Sequence, residues 1–182
     1  MRRTAAFIVG APGVGKTTAL AALLDPFGTQ LVPSPKWTLC SPVAMVGHYT
    51  GASHDGGDTV PYNGAQAALD FWRDYLLTDP SLVAFVFDGD RFSTANVLSF
   101  VMEHAEKNDV DVCCVYLDAS QEALDERRAA RGSTQDPAWM KGRGTKAARF
   151  AEKLGSKTTT VDTTALDVEQ VQGLVRDHVL PS

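Results

Sequence analysis

One stretch, TAAFIVGAPGVGKT at positions 4–17, limits what this chain can fold into more than any other. An unbroken apolar run reads as a strand buried on both faces. It runs into Gly10–Thr17, which fits the spacing G-x-x-x-x-G-K-[ST]. Gly10, Gly13 and Gly15 let the backbone turn tightly and aim its N–H groups inward. The run KTTALAALL then reads as a helix whose positive end faces the same point, ending near Asp25-Pro26. Such a turn cradles a polyphosphate. Ala11, Pro12, Gly13, Val14, Gly15, Lys16, Thr17 and Thr18 would line it, with Lys16 reaching the β- and γ-phosphates and the Thr17 hydroxyl ligating a metal ion. ATP and Mg²⁺ are the expected ligands.

Beyond the loop, short apolar runs alternate with helical spacing. QLVPS reads as a second short strand, and positions 33–63 as a long irregular insertion rich in Pro, Gly, Ser and Asp. GAQAALDFWRDYLL reads as a helix, SLVAFVFDGD as a buried strand ending in two aspartates, and TANVLSFVMEHAEK as a helix. VDVCCVYLD is a strand, SQEALDERRAARG a helix stopped by Gly132, TKAARFAEKLG a further helix, KTTTVDTT a last strand and DVEQVQGLVRDHV a last helix capped near Asp167. The alternation predicts a three-layer α/β/α fold with a central parallel sheet, a single domain over residues 1–182. Ligands in such sheets sit at the carboxyl ends of the strands.

Formal charge is −5, yet the segment from Glu122 to Lys157 carries nine basic residues against five acidic ones. An acidic protein with one basic segment suits a polyphosphate ligand held at one place, not a surface coated for duplex DNA. No apolar run is long enough to span a bilayer, and the N-terminal MRRTAAFIVG is better read as a first strand than as a signal peptide. Cys40, Cys113 and Cys114 have no disulfide or metal spacing, so reduced thiols in the cytoplasm are expected.

Three further constellations carry chemistry. Asp88 lies where an apolar strand gives out, so its carboxylate would face the cleft. There it could hold the water shell of Mg²⁺ or take a proton from an attacking hydroxyl. Asp90 and Arg91 follow at once, and the arginine could grip a phosphate or stack on a base. In the basic segment, Arg127 and Arg131 share one helical face, as do Arg143, Lys146 and Arg149, with STQDPAWMK between them as a flap. Closing over ATP, such a lid at about 127–149 would neutralise charge on the transferring group and exclude water. The third is GHYTGASHDGGDTVPYNGAQ within the insertion (about 34–63), a candidate recognition loop where Asp58, Tyr62 and Asn63 offer polar and stacking groups. Tyr62 with Tyr49 or Trp37 could sandwich a base, or all three could be packing residues. His48 and His54 lack a third ligand at metal spacing and read as exposed loop residues.

Taken together, the phosphate loop, DGDR after the core strand and RRAARG…KGRGTKAAR resemble, in order and over nearly the whole chain, the P-loop kinases of the nucleoside and nucleotide kinase group. The resemblance implies that the arginine-rich segment is a lid, with Arg127, Arg131, Arg143 and Lys146 touching ATP phosphates. The Asp-Arg pair is similar to that of thymidylate kinases, which implies that Arg91 touches the acceptor nucleotide. Residues 26–50 do not match the thymidylate kinase pattern, however, and YTGASHDGGDTVPYNGA looks closer to phage-encoded kinases that phosphorylate 5-hydroxymethyluracil in DNA.

The expectation is therefore a kinase with Lys16, Asp88, Arg127 and Arg131 as catalytic groups, Thr17 and Asp88 as metal ligands, and Asp58, Tyr62 and Arg91 toward the acceptor. The acceptor would be a single-stranded or flipped base of DNA. A free deoxynucleoside monophosphate is the alternative, favoured by the acidic overall charge. A regulatory NTPase without an acceptor is the third reading; the chain has no N-K-x-D guanine signature.

Overall fold

The computed structural model of the protein describes residues 2–25, 28–51 and 55–180. Seven strands make one sheet: β1 (Arg3–Gly10), β2 (Gln30–Pro33), β3 (Lys36–Cys40), β4 (Val43–Val46), β5 (Ala84–Asp88), β6 (Val110–Asp118) and β7 (Thr158–Asp162). Their spatial order is β2-β3-β4-β5-β1-β6-β7, with β1 at the centre and every pair from β4 to β7 parallel. The helices are α1 (Lys16–Leu20), α2 (Ala65–Asp74), α3 (Ala95–Lys107), α4 (Gln121–Ala130), α5 (Pro137–Leu154) and α6 (Val168–Val179).

Alternate side chains of the central strands feed two separate cores, which gives three layers. On one face Phe7, Phe85 and Phe87 meet Trp72 of α2, Val101 of α3 and Phe150 of α5. Phe87 is the hub: its ring lies 5.3 Å from Phe7, 5.4 Å from Trp72 and 5.8 Å from Trp37. On the other face Ala6, Ile8, Val86 and Val115 meet Leu20 of α1, Leu124 of α4 and Val175 of α6. The neighbours Cys113 and Cys114 turn to opposite cores, and burial pushes their thiols up to about 11 and about 12. No helix among the described residues is long and apolar enough to cross a membrane.

Three expectations are corrected here. Residues 33–63 are not an irregular insertion throughout. The two-residue turns Ser34-Pro35 and Ser41-Pro42 fold β2, β3 and β4 into an antiparallel meander, so that edge of the sheet departs from the parallel arrangement. Proline at each turn ends one strand, and the buried residues of Lys36–Cys40 and Val43–Val46 supply the next. Next, α1 is a single short helix that tightens into a 3₁₀ turn at Ala21–Leu23. Last, the segment STQDPAWMK is not a flap in its entirety. Asp136 caps α5 by accepting from the Trp139 amide at 2.8 Å, and Pro137 occupies the first helical position, so the helix runs from 137 to 154 and only residues 131–136 connect it to α4.

Candidate functional site

The phosphate loop leaves the carboxyl end of β1 with Asp88 alongside, because the β1–β5 register pairs Ile8 with Asp88. Gly15, at φ 101°, is the residue from which α1 starts, a conformation that side chains other than glycine rarely adopt. Lys16 is half-buried and donates to the carbonyls of Gly10 (2.9 Å) and Ala11 (3.3 Å). It is therefore not the solvent-facing lysine of an open loop. Burial lowers its pKa, while the carboxylates of Asp88, Asp58 and Asp90 pull the other way.

Asp88 is the most unusual group of the site. It is 3 % exposed, and burial raises its pKa against the opposing pull of Lys16 and of hydrogen bonds. Its Oδ2 accepts the Tyr49 hydroxyl at 3.0 Å, and the nearby Gly57 amide also favours the charged form. Its Oδ1 is buried without a partner among the described residues. A buried carboxylate oxygen with no donor is expensive unless a ligand completes it. Tyr49 is itself buried, and its pKa is raised well above the ordinary value by burial, then by Asp88, so it remains a neutral donor. The loop that presents these donors is tightly packed on β5. A Cβ at Gly57 would stand 1.8 Å from the Asp88 carbonyl oxygen, and one at Gly47 would stand 2.0 Å from that of Gly56. Asp55 pins the same loop by accepting from the Thr50 amide (2.6 Å), its hydroxyl (2.9 Å) and the Gly51 amide (2.5 Å).

Three clefts meet at this point. The first, of about 210 Å³, lies between the loop and the start of α6, lined by Gly15, Thr18, Arg127, Thr163, Leu166 and Val168. Its mainly apolar walls suit a flat base and sugar. The second, of about 160 Å³, brings together Lys16, Thr17, Asp55, Asp58, Asp88 and Arg131. The third, of about 120 Å³, lies on the far side of Lys16, against Asp58, Asp90, Ser93, Trp139 and Arg143. Lys16 and Asp58 thus form a common wall of the second and third.

A family profile described as an AAA domain, AAA_33, matches residues 6–150. The chain belongs to the AAA_33 family. The matched region takes in the phosphate loop, Asp88, and α4 with most of α5. Among solved structures, this AAA_33 chain is similar to one described as "a putative kinase from Chloroflexus aurantiacus" (18 % identity, 98 % of this chain and 97 % of that one, TM-score 0.50). It is also similar to the APS kinase CysC of Mycobacterium tuberculosis in complex with AMPPNP and APS (13 % identity, 96 % of each chain, TM-score 0.44). The first likeness agrees with the fold described above. No curated protein sequence matches significantly.

The AAA_33 structure distributes the anticipated site residues unequally. Ala11, Pro12 and Gly13–Thr18 form the loop, with Val14 turned into the core. Arg127 is not beside Lys16: its guanidinium donates to Thr163 Oγ1 (2.9 Å) and carbonyl (2.6 Å) and walls the first cleft. Arg131 borders both the first and second clefts. Arg143 pairs with Asp90 at 2.6 Å and lies 4.5 Å over the Trp139 ring, while Lys146 reaches the same Asp90 at 3.0 Å. Arg149 turns away, into a separate cleft beside Ser93 and Lys153. Arg91 donates to the Asp58 carbonyl at 3.0 Å and lies 5.9 Å from the Tyr62 ring. Tyr62 is 89 % exposed, whereas Trp37 and Tyr49 are core and cannot sandwich a base. His48 is not an exposed loop histidine; its Nε2 donates to the Val32 carbonyl at 2.7 Å, and His54 lies outside the described residues.

Several contributors escaped the sequence reading. Arg128 donates to the Pro12 carbonyl (3.1 and 2.9 Å) and fastens α4 to the phosphate loop. Asp55, Thr163 and Leu166 complete the clefts from distant segments, and the bond from Tyr49 to Asp88 had no local signal. Only the Asp136-Pro137 cap of α5 had a local signal that could have been used.

Proposed function

We propose that this protein is an ATP-dependent kinase whose acceptor is a nucleotide-type hydroxyl, the hydroxymethyl group of 5-hydroxymethyluracil in phage DNA. The observation that carries the reading is the position of Lys16. It stands between a cleft holding Thr17, Asp88 and Arg131 and a second cleft rimmed by Trp139 and Arg143. A donor phosphate in one and an acceptor hydroxyl in the other would meet at its ammonium.

In this reading the base and ribose of ATP occupy the apolar cleft beside Arg127, Leu166 and Val168. The triphosphate runs along Ala11–Thr18, with Arg131 and Arg143 approaching from either side. The acceptor oxygen attacks the γ-phosphorus, its proton passes to Asp88 Oδ1, and the bond to the β-phosphate oxygen breaks to release ADP. A carboxylate whose pKa is raised by burial is better matched to proton transfer near neutrality than an exposed one. The donor set also fits Mg²⁺, which favours one or two carboxylates with substrate phosphates. Thr17 would hold the ion, with Asp88 as its second protein ligand in the alternative where the carboxylate does not take the proton, and the ion would neutralise charge on the phosphates. No cluster of three His, Cys, Asp or Glu side chains suited to a protein-only metal site occurs among the described residues.

Two exposed aromatic rings near the acceptor side, Tyr62 and Trp139, each lie beside an arginine, which supports a base as the acceptor. A base embedded in a strand must be unstacked to enter. A free deoxynucleoside monophosphate is the second reading. Arg143 beside so small a third cleft could equally hold a single phosphate.

The test is incubation with γ-labelled ATP and either hydroxymethyluracil-containing DNA or free nucleotides. Label on DNA supports the first reading. Label only on free nucleotides transfers the assignment to the second. ATP hydrolysis with label on neither makes the protein a regulatory NTPase.

A further inference from the structure

Beside the acceptor cleft lies a larger one, of about 540 Å³, that none of the steps above uses. One wall is Ser93, Thr94 and Ala95 at the start of α3; the other is Lys146, Arg149 and Lys153 of α5, with Phe150 between them. No carboxylate lines it, in a chain whose net charge is −5. The three cations stand at i, i+3 and i+7, hence along one helix face, over about 10 Å of axis. Arg149 and Lys153 are exposed and make no hydrogen bond or ion pair among the described residues. The acidic neighbour on that turn, Glu152, does not line the cleft. Facing them, Thr94 caps α3 through the Val97 amide, while other amides of that first turn remain available to an anion. The cleft adjoins the acceptor cleft: Ser93 lines both, and Lys146 reaches across to Asp90.

We infer that this cleft seats the sugar–phosphate backbone of a single DNA strand, next to the base that occupies the acceptor cleft. The inference rests on the DNA-kinase reading above and adds to it the surface that holds the strand. Gly142 lines the cleft beside open space, since a Cβ there would meet no atom within 4 Å, and the exposed Trp139 ring stands one turn earlier on α5, within reach of a strand leaving the cationic face. This resolves the objection that an acidic protein is a poor DNA ligand, because the required cations are gathered on one helix face.

The experiment is fluorescence anisotropy of a short labelled single-stranded oligonucleotide, without ATP, across a series of salt concentrations. Each phosphate contact on a single strand contributes about −0.7 to the slope of log K against log salt. Arg149→Ala with Lys153→Ala is therefore expected to make the slope shallower by about 1.4, the two lost contacts together. The exchange Arg149→Lys with Lys153→Arg should restore the slope, since only charge is required. Calorimetric ATP binding and the melting temperature should be unchanged in all variants, because both side chains are exposed and outside the phosphate loop. Equal oligonucleotide affinity and salt slope in the wild type and the double alanine variant would overturn the inference, as would a preference for the equal-length duplex. If the slopes differ as expected but labelled phosphate never reaches DNA, the strand cleft stands and the acceptor assignment falls. If label reaches DNA equally well in both proteins, the acceptor assignment stands and the strand cleft falls.

Discussion

Replacing Tyr49 by phenylalanine removes one oxygen atom and one hydrogen bond, the 3.0 Å contact to Asp88 Oδ2, and leaves the packing of the ring intact. Its consequence depends on the charge of Asp88. A hydrogen bond to an ionised group contributes about 1.5–3 kcal/mol, and one to a neutral group about 0.5–1.5. The Tyr49 hydroxyl therefore favours the carboxylate over the carboxylic acid by about 1–1.5 kcal/mol, which is about one pH unit. The Asp88 pKa is already raised by burial, so its ionised form is disfavoured in the folded protein, and that cost grows as pH rises from the unfolded value of about 3.9 through the folded one. Without the tyrosine hydroxyl the folded pKa rises further and the cost widens. The Tyr49→Phe variant should thus lose more melting temperature near neutrality than in mild acid, by roughly 2–6 °C for a chain of this size. The acidic limb of kcat/KM should move up by about one unit. Thermal melts at the two pH values and a pH–rate profile measure both effects. An equal fall in melting temperature at both pH values, with an unmoved limb, would refute the argument and reduce the hydroxyl to a packing group.

The other substitutions separate chemistry from architecture. Lys16→Ala should abolish phosphoryl transfer while costing little stability, since burial already disfavours its charge; single-turnover assays and urea denaturation report the two. Asp88→Asn should reduce kcat far more than ATP affinity if the carboxylate receives the acceptor's proton, whereas an equal loss in both would assign it to the metal shell. Gly57→Ala should destabilise the protein by about 3 kcal/mol, because the added carbon would overlap the Asp88 carbonyl oxygen and two backbones cannot easily part; denaturant titration gives the value.

How much of this could be read along the chain varies from residue to residue. The phosphate loop was legible because all its parts are consecutive: strand, glycine turn, lysine, helix. Asp88 was legible for a related reason, since a buried strand must end in the cleft and its last residue is carried there. The β2–β3–β4 meander was hidden because its strands are four or five residues long and separated only by Ser-Pro pairs. Helical spacing puts Arg127 on a face with Arg131, but only the fold shows that a carbonyl and hydroxyl from Thr163, beyond the next helix and strand, hold it against the first cleft. Helical spacing groups Arg143 and Lys146 with Arg149; Asp90 draws the first two toward the cleft beside Trp139 and leaves the third outside it.

The sequence by itself determined the α/β/α alternation, the phosphate loop and the presence of a carboxylate at the end of β5, since each depends on local periodicity or on neighbours within a few residues. Tertiary structure alone decided that Tyr49 would bond that carboxylate and that its other oxygen would find no partner among the described residues. It also decided that Lys16 would stand between two clefts, and that Arg143 of α5 would line one of these while Lys146, Arg149 and Lys153 line a separate one beside α3. Those outcomes depend on which segments pack side by side, and side-chain pairing across dozens of residues leaves no periodic trace in the chain that makes it.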